Sequence, residues 1–455
     1  MRKCLKLNIY NMFVDKTPPP QKKPTVYVGM SVDVLHHGHI NIIQKASNYG
    51  RVIVGLISDN ALASFKRLPY LNWNQRKIII ENIIGVSEVV EQLEWDYSPN
   101  IYKYRPDFMI HGDDWRVGPL AKIRENTIKA LASYGGELIE IPYTVGVNSQ
   151  KILNNLLANG ISPDARKSTL KRLLRAKGLS RFLETHSPIS ALIAENCVVE
   201  VKGQVKQFDG FWSSSLTDAL EMGKPDIEAL DISSRLSKIN SIFDVTSKPL
   251  IMDIDTGGKL EHLEINIKSI ERLGVSAVIM EDKKGLKRNS LLGNDVYQIQ
   301  EEKEIFCEKI SAGKSKILNE DFMIIARIES LILEKGMSDA LERAEAYVDA
   351  GADGIMIHSR KREPNEVLEF ASFFKNKFQY VPLVCIPTTY NTIYENDLES
   401  SGVNIVIYAN HLLRAAFPAM KEVAESILIN GRSHEIEEKL LNINDALKII
   451  PGTDT

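Results

Sequence analysis

The sequence predicts a two-unit α/β chain: a Rossmann-like doubly wound unit first, then a TIM-type (β/α)8 barrel. Three observations predict it. Near residue 25 an apolar strand runs straight into a helix and then into a second strand, the opening of a βαβ unit. In the second half, short apolar runs recur, each ending in polar or charged residues, with amphipathic helical patterns between them. Between the halves, Asn159-Gly160-Ile161-Ser162-Pro163 breaks the pattern by composition. The domains expected are a mobile segment and linker at 1–23, a doubly wound unit at 24–160, a barrel at 164–432 and a tail at 433–455.

The start, Met1-Arg2-Lys3-Cys4-Leu5-Lys6, is basic but lacks the sustained apolar run of a signal peptide. Thr17-Pro18-Pro19-Pro20-Gln21-Lys22-Lys23-Pro24 reads as an extended linker. The strand Thr25–Met30 follows, then Asp33-Val34-Leu35-His36-His37-Gly38-His39, a helix over 41–49 and a second strand over 51–57. His-x-Gly-His at a strand-to-helix junction has a definite chemistry. The glycine lets backbone and phosphate approach closely, and the helix N-terminus favours an anion. Two imidazoles three residues apart can both donate hydrogen bonds to phosphoryl oxygens as charge spreads over them.

Beyond the break, the basic run Arg166–Arg181 carries Leu170, Leu173 and Leu174 at helical spacing, and predicts an amphipathic helix that caps the barrel or meets another subunit. The barrel grammar then begins. Phe211-Trp212 ends in Ser213-Ser214, and Leu250-Ile251-Met252 in Asp253-Ile254-Asp255-Thr256-Gly257-Gly258. Ala277-Val278-Ile279-Met280 ends in Glu281-Asp282-Lys283, followed by a further cluster of cations, Asn289 and Ser290. Phe322–Ala326 ends in Arg327-Ile328-Glu329, Gly354–Ile357 in His358-Ser359, Val381–Ile386 in Pro387-Thr388, and Asn404–Tyr408 in Ala409-Asn410-His411. Seven or eight such units fit a barrel, whose active site is built at the carboxyl ends of its strands.

Composition excludes several function classes. A formal net charge of −3 gives no reason to expect a nucleic-acid or membrane-surface partner. No apolar run is long enough to span a bilayer. Four cysteines without paired spacing suggest reduced thiols in a cytoplasmic protein, with no zinc motif.

Two resemblances sharpen this reading. Over about 24–160, Asp33-x-x-His36-x-Gly38-His39 resembles the signature of the HxGH nucleotidylyltransferases, particularly cytidylyltransferases acting on small phosphorylated alcohols. The resemblance implies that His36 and His39 stabilise the transition state at the α-phosphate of CTP. Lys66 sits where that family places a phosphate-contacting lysine, with Arg76 in the next helix, and Arg116 is a further candidate for an anionic pocket. His111-Gly112-Asp113-Asp114-Trp115 resembles the nucleotide-lining segment, and Ser149 the last hydroxyl of the closing motif. Met30, Val32 and Asn148 depart from the pattern, standing where a glycine, an aromatic and a hydroxyl are usual.

From there to about Arg432 the chain resembles phosphoenolpyruvate mutase of the isocitrate lyase superfamily. The pieces are Trp212-x-Ser214, Asp226, Asp253-x-Asp255, Glu281-Asp282-Lys283-x-x-x-Lys287-x-Asn289-Ser290, Arg327-x-Glu329, His358-Ser359 and Asn410-His411 with Arg414. This implies Mg²⁺ held by Asp253 directly, with Asp255 and Glu281 acting through water. It implies Arg327 and His358 as positive donors to a phosphoryl group, and Lys283–Ser290 as a lid. In that lid, Asn289 would cradle the migrating group, with Lys287 and Ser290 assisting. A carbon–carbon lyase of this superfamily would carry a lid cysteine, which is absent; phosphonopyruvate hydrolase carries a threonine at the position of Asn289. The expectation is therefore a bifunctional enzyme of phosphonate biosynthesis. It would make phosphonopyruvate from phosphoenolpyruvate and transfer CMP from CTP to a small phosphonate, 2-hydroxyethylphosphonate or 2-aminoethylphosphonate. A homo-oligomer, dimer or tetramer through the barrel, is expected. The alternative is a mutase or hydrolase carrying a non-catalytic nucleotide-sensing or structural module.

Overall fold

The computed structural model describes residues 23–65, 68–116, 120–142, 161–201 and 204–450. Lys66, Asn148 and Ser149 fall outside these residues, as do the N-terminal linker and the side chain of Asp114. The chain forms two compact units that divide near residue 150.

The first unit is a five-stranded parallel sheet. Its strands are β1 (Thr25–Met30), β2 (Arg51–Ile57), β3 (Val86–Gln92), β4 (Phe108–Gly112) and β5 (Glu137–Ile141), in the order β3-β2-β1-β4-β5. Strand residues alternate between two cores because successive side chains point to opposite faces. Val26, Val28, Val52 and Val54 pack with Ile43 and Ile80, while Tyr27, Ile53 and Met109 pack with Ile101 and Leu131. Helices thus cover both faces, as in a doubly wound fold. The first helix begins at His37, four residues earlier than apolar periodicity suggests.

The second unit is a closed barrel of eight parallel strands: β6 (Ser180–Glu184), β9 (Gly210–Ser213), β10 (Leu250–Asp253), β11 (Ala277–Glu281), β14 (Met323–Ile328), β15 (Gly354–Ile357), β16 (Leu383–Cys385) and β17 (Ile405–Tyr408). The strands follow one another around the barrel in chain order. Two antiparallel hairpins decorate it, β7 (Val198–Val201) with β8 (Gln204–Gln207), and β12 (Lys283–Lys284) with β13 (Ile299–Gln300). Inward residues Phe182, Trp212, Ile251, Ile279, Ile325, Met356, Val384 and Ile407 fill the interior. Outward residues such as Phe211, Val278, Ile324 and Ile355 pack with Ile267, Ile310 and Phe370 of the surrounding helices.

The basic run divides differently from its expected extent. Its helix spans Pro163–Ala176, and Ser180 already opens β6, the strand that sequence periodicity did not separate from the run. Leu170 joins the interior core, so the helix plugs the barrel. Arg166 is buried: it donates to Lys248 O at 2.7 Å and Thr246 O at 2.5 Å and lies 4.0 Å from the Phe243 ring centre. Its charge serves to satisfy buried carbonyls, which would otherwise be left unpaired. Among the described residues no helix is long and apolar enough to cross a membrane.

Candidate functional site

In the first unit the strand order reverses between β1 and β4, and in sheets of this kind the crevice beyond the carboxyl ends at that point receives ligands. Both singled-out motifs lie there. After β1 the chain turns through Val32, buried and at φ 48°, a left-handed conformation that is strained for a β-branched residue. His36 then caps the helix His37–Ser47. Its Nδ1 accepts the Gly38 N–H at 3.1 Å, while His39 Nδ1 accepts the His36 N–H at 3.3 Å. The two histidines form a reciprocal capping box, with ring centres 4.0 Å apart. Because each Nδ1 accepts, the proton of each neutral ring resides on Nε2. Burial, and then the neighbouring imidazole, lowers His39 to about 4, and His36 is lowered by burial and by His37. Two neutral N–H donors therefore share the positive end of a helix.

Beyond β4, Asp113 opens the short turn Asp113–Trp115. Trp115 is stacked on His111 at 3.8 Å, and its indole N–H donates to Glu140 Oε1 at 2.9 Å. Glu140 also receives Arg124 at 2.8 Å and Arg116 at 2.9 Å; Arg124 first, then Arg116 and Trp115, hold its carboxyl down at about 2 against the opposing effect of burial. Arg116, expected near an anion, is thus engaged with Glu140. Arg76 requires a clearer correction. It is fully buried and donates to Ser31 O and Ile57 O and, at 2.7 Å, to Asp59 Oδ1. Its guanidinium ties together the ends of β1 and β2 rather than facing a ligand.

In the barrel, the carboxyl ends of the strands enclose a small cavity of about 50 Å³. Trp212, Ser214, Asp226, Asp253, Glu281, Lys287, Asn289, Ser290, Arg327, His358 and Asn410 all line it. Ser215, Leu216, Leu291, Ile386, Thr388 and Ala409 complete the wall; none was singled out as a site residue from sequence, although Ile386, Thr388 and Ala409 belong to strand ends placed at the mouth. Asp255, Glu329 and Ser359 are not on the wall. The Ser359 hydroxyl instead donates to Glu366, so it does not meet a ligand directly.

The lid closes over the acids. Lys287 Nζ contacts Asp226 Oδ1 at 2.6 Å and also reaches Asp255 Oδ1 and Ser215 Oγ. Asn289 Nδ2 donates to Asp226 Oδ2 at 2.9 Å, and its Oδ1 caps Leu291 N–H at 3.0 Å. Lys283 pins the loop from beneath, donating to Arg288 O at 2.9 Å, Ser290 Oγ at 3.0 Å and Gln298 Oε1 at 3.1 Å. On the neighbouring strand β14, Arg327 Nε meets Glu329 Oε1 at 2.6 Å, and the Ser290 hydroxyl lies 2.5 Å from both Glu329 Oε2 and Arg327. Although burial alone would raise Glu329, Arg327 and Lys283 keep it well below the carboxylate range. Its position holds Arg327 in aim.

His358 differs from its expected charge. Burial, reinforced by Arg327, pushes it down to about 3, so the imidazole is neutral, and its buried Nδ1 has no hydrogen-bond partner among the described residues. A full charge there would be desolvated beside a guanidinium. Its capacity is that of a neutral donor or acceptor.

The acids carry their own constraints. Asp253 Oδ2 accepts Ser215 Oγ–H at 2.8 Å, and its Oδ1 accepts the Asp255 N–H at 3.0 Å. Asp255 sits at φ 55°, in a turn followed by Gly257 and Gly258, both also left-handed. Arg235, unforeseen from sequence, is fully buried behind them. It donates to Asp218 Oδ2 at 3.0 Å and to Asp253 O. For Asp253, burial is outweighed by Lys287, Arg327 and Arg235, which lower it; Asp255 is raised by burial despite Lys287. Burial lifts Glu281 to about 7 against Lys283 and Arg327. Among the described residues no three such side chains stand ready to chelate a metal together. The set still fits a hard cation that keeps most of its waters: the donors are carboxylate oxygens, and Glu281 Oε1, buried with the Lys283 ammonium 3.3 Å away, has no hydrogen bond among the described residues. Lys287 places a positive charge beside Asp226 and Asp255.

Comparison with known proteins assigns both units. Residues 170–428 match the family model for phosphoenolpyruvate phosphomutase, and residues 27–162 that for cytidylyltransferase-like proteins. Over 299 residues the chain is 33% identical to phosphoenolpyruvate phosphomutase of Tetrahymena pyriformis, covering 66% of this chain and 95% of that protein. The crystal structure of phosphoenolpyruvate phosphomutase from Streptomyces platensis subsp. rosaceus superposes with a TM-score of 0.58 at 34% identity, over 62% of this chain and 94% of that one. A phosphonopyruvate hydrolase complexed with oxalate and Mg²⁺ superposes with a TM-score of 0.56 at 33% identity, over 64% and 95% respectively.

Proposed function

The chain belongs to the phosphoenolpyruvate phosphomutase family, with a cytidylyltransferase-like domain ahead of the barrel, and from this we propose a bifunctional enzyme of phosphonate synthesis. The barrel would interconvert phosphoenolpyruvate and phosphonopyruvate. The observation that carries this reading is the lid: Asn289 and Lys287 line the same cavity as Arg327 and His358.

In the proposed reaction the P–O bond of the enol phosphate breaks and the phosphoryl group joins C3 of the same skeleton. The enolate supplies the electron pair, and no proton is gained or lost. Such a loose transfer needs fixed donors and exclusion of water more than a base. Arg327 contributes a fixed positive charge and His358 a neutral hydrogen bond to the phosphoryl oxygens. Asn289 offers its amide to the migrating group, and Ser290 keeps Arg327 in place. Trp212 and Ser214 border the pyruvate end. Mg²⁺, held by Asp253 and through water by Asp255 and Glu281, would supply positive charge to the ligand carboxylate and enolate oxygens. Lys287 must then shift, since it occupies the space beside Asp255. The hydrolase reading is favoured by comparable identity to a hydrolase, and opposed by Asn289, where the family resemblance implies a threonine in a hydrolase.

The first domain would transfer CMP from CTP to 2-hydroxyethylphosphonate or 2-aminoethylphosphonate. A phosphonate oxygen attacks the α-phosphorus and pyrophosphate leaves, with the Nε2–H groups of His36 and His39 on the phosphoryl oxygens. Gly38, Lys66, Asp113, Asp114 and Ser149 would complete the nucleotide site. Such a step would follow C–P bond formation and any reactions that convert phosphonopyruvate into the acceptor. The test is pyrophosphate release from CTP across a panel of acceptors. Release with either phosphonate supports the coupling of the two halves; release only with phosphocholine or glycerol 3-phosphate overturns it. The free thiols of Cys197, Cys307 and Cys385 suit a reducing compartment such as the cytoplasm. The helix His411–Asn430 buries none of its residues and exposes Phe417, Met420, Leu428 and Ile429, which a second copy of the chain would cover in a homo-oligomer.

A further inference from the structure

Asp282 follows the mouth acid Glu281 but turns away from the cavity and is completely buried. Its carboxylate gathers four donors from three parts of the barrel. Oδ1 accepts the Glu329 N–H at 2.9 Å; Oδ2 accepts Tyr347 O–H at 2.7 Å, Gln300 Nε2 at 2.9 Å and Arg343 at 3.3 Å. Its backbone joins the same two neighbours, donating to Arg327 O at 3.0 Å and accepting the Glu301 N–H at 2.8 Å. Gln300 and Glu301 belong to the returning root of the lid, where Lys283 pairs with Gln300. One carboxylate thus links the lid's closing strand to the strand end that aims Arg327.

The third anchor is the helix Met337–Asp349, on which Asp339, Arg343 and Tyr347 recur every four residues and so share a face. Arg343 also donates to Glu301 O at 3.0 Å and to Asp339 Oδ2 at 3.0 Å. Asp339 receives the Ser330 hydroxyl at 2.6 Å, and Ser330 in turn receives Gln300 at 2.9 Å. None of Asp282, Gln300, Arg343 or Tyr347 lines the cavity.

We propose that Asp282, Arg343 and Tyr347 are positioning residues that fix the lid root and the Arg327–Glu329 segment in one register, so that the closed lid excludes water from the migrating phosphoryl group. The inference rests on the mutase reading of the barrel. Its chemical consequence is specific. With the root loosened, water can attack phosphorus: its oxygen forms the new P–O bond as the C3–P bond breaks. The bond pair passes to C3, which takes up a proton, and the products are pyruvate and phosphate.

The test follows phosphonopyruvate by ³¹P NMR in the full-length wild type, Tyr347→Phe, Asp282→Asn and Arg343→Lys. Tyr347→Phe keeps the ring packed 4.8 Å from Phe306 and removes one hydroxyl. The expected result for Tyr347→Phe and Asp282→Asn is a kcat lowered on the order of tenfold with little change in KM, since misplacement of a closing lid acts on the reacting geometry. A larger share of the product should be pyruvate and phosphate, and trypsin should cut faster at the lid lysines. Arg343→Lys, which keeps a charged donor, should lie between these variants and wild type. Unchanged kcat, product share and tryptic rate in both Tyr347→Phe and Asp282→Asn overturn the proposal. A wild type that forms no phosphoenolpyruvate overturns the mutase reading, and this inference with it.

Discussion

Lys287 Nζ, carried by the loop after β11, lies 2.6 Å from Asp226 Oδ1 on the connection between β9 and β10 and also contacts Asp255. The lid therefore closes on a cation of its own. On the proposed reading the same acids would hold a divalent ion, so the ammonium and that ion would compete for them.

The consequence is measurable in stability. Lys287→Met leaves Asp226 and Asp255 buried without their partner, and breaking a buried pair typically costs about 3–5 kcal/mol. The barrel's urea transition should move to lower denaturant accordingly. Magnesium should raise the melting temperature of this variant more than that of wild type, because an ion that binds only the folded state stabilises by mass action. Equal shifts in the two proteins would refute the competition.

Asn289 tests the lid chemistry itself. Asn289→Ala should lower interconversion of phosphonopyruvate and phosphoenolpyruvate on the order of a hundredfold or more, the usual scale for losing one oriented donor at a reacting group. Circular dichroism should remain that of wild type. Unchanged turnover would remove the loop from the mechanism.

Asp253 tests the separation of the two chemistries. Asp253→Ala should abolish magnesium-dependent mutase turnover and leave CTP-dependent pyrophosphate release intact, since the two motifs lie in different units. Loss of both in a folded protein would argue against two independent sites.

The capping histidines predict a pH dependence with a definite sign. His39 is held near 4 in the fold, against an ordinary value of about 6.5. Between these values the unfolded chain binds more protons than the folded one, so this contribution is complete above about pH 6.5 and is lost as pH falls toward 4. His39→Asn retains an acceptor for the His36 N–H without titrating. The stability of wild type relative to this variant should therefore decline between pH 6.5 and 4, as followed by denaturant unfolding. A constant difference across that range would contradict a neutral His39 whose Nδ1 accepts the His36 N–H.

Much of this molecule was legible in its sequence because the signals are local. Strand runs ending in polar residues place Asp253, Glu281, Arg327, His358 and Asn410 at one end of a barrel, since a parallel strand delivers whatever follows it to the same rim. His-x-Gly-His needed only three residues of spacing to mark a helix start. Tertiary structure decided what local pattern cannot carry, namely the partners. Arg76 looked like a ligand for phosphate and is instead engaged by two backbone carbonyls and Asp59, because burial leaves a guanidinium no alternative to internal acceptors. His358 was expected to be charged and is neutral, since its desolvation beside Arg327 depends on a strand neighbour. Arg235 and Tyr347 were not singled out in the sequence, and Asp282 only as a member of its motif with no role: the Arg235–Asp218 and Tyr347–Asp282 contacts span 17 and 65 residues, and only the tertiary fold brings them together.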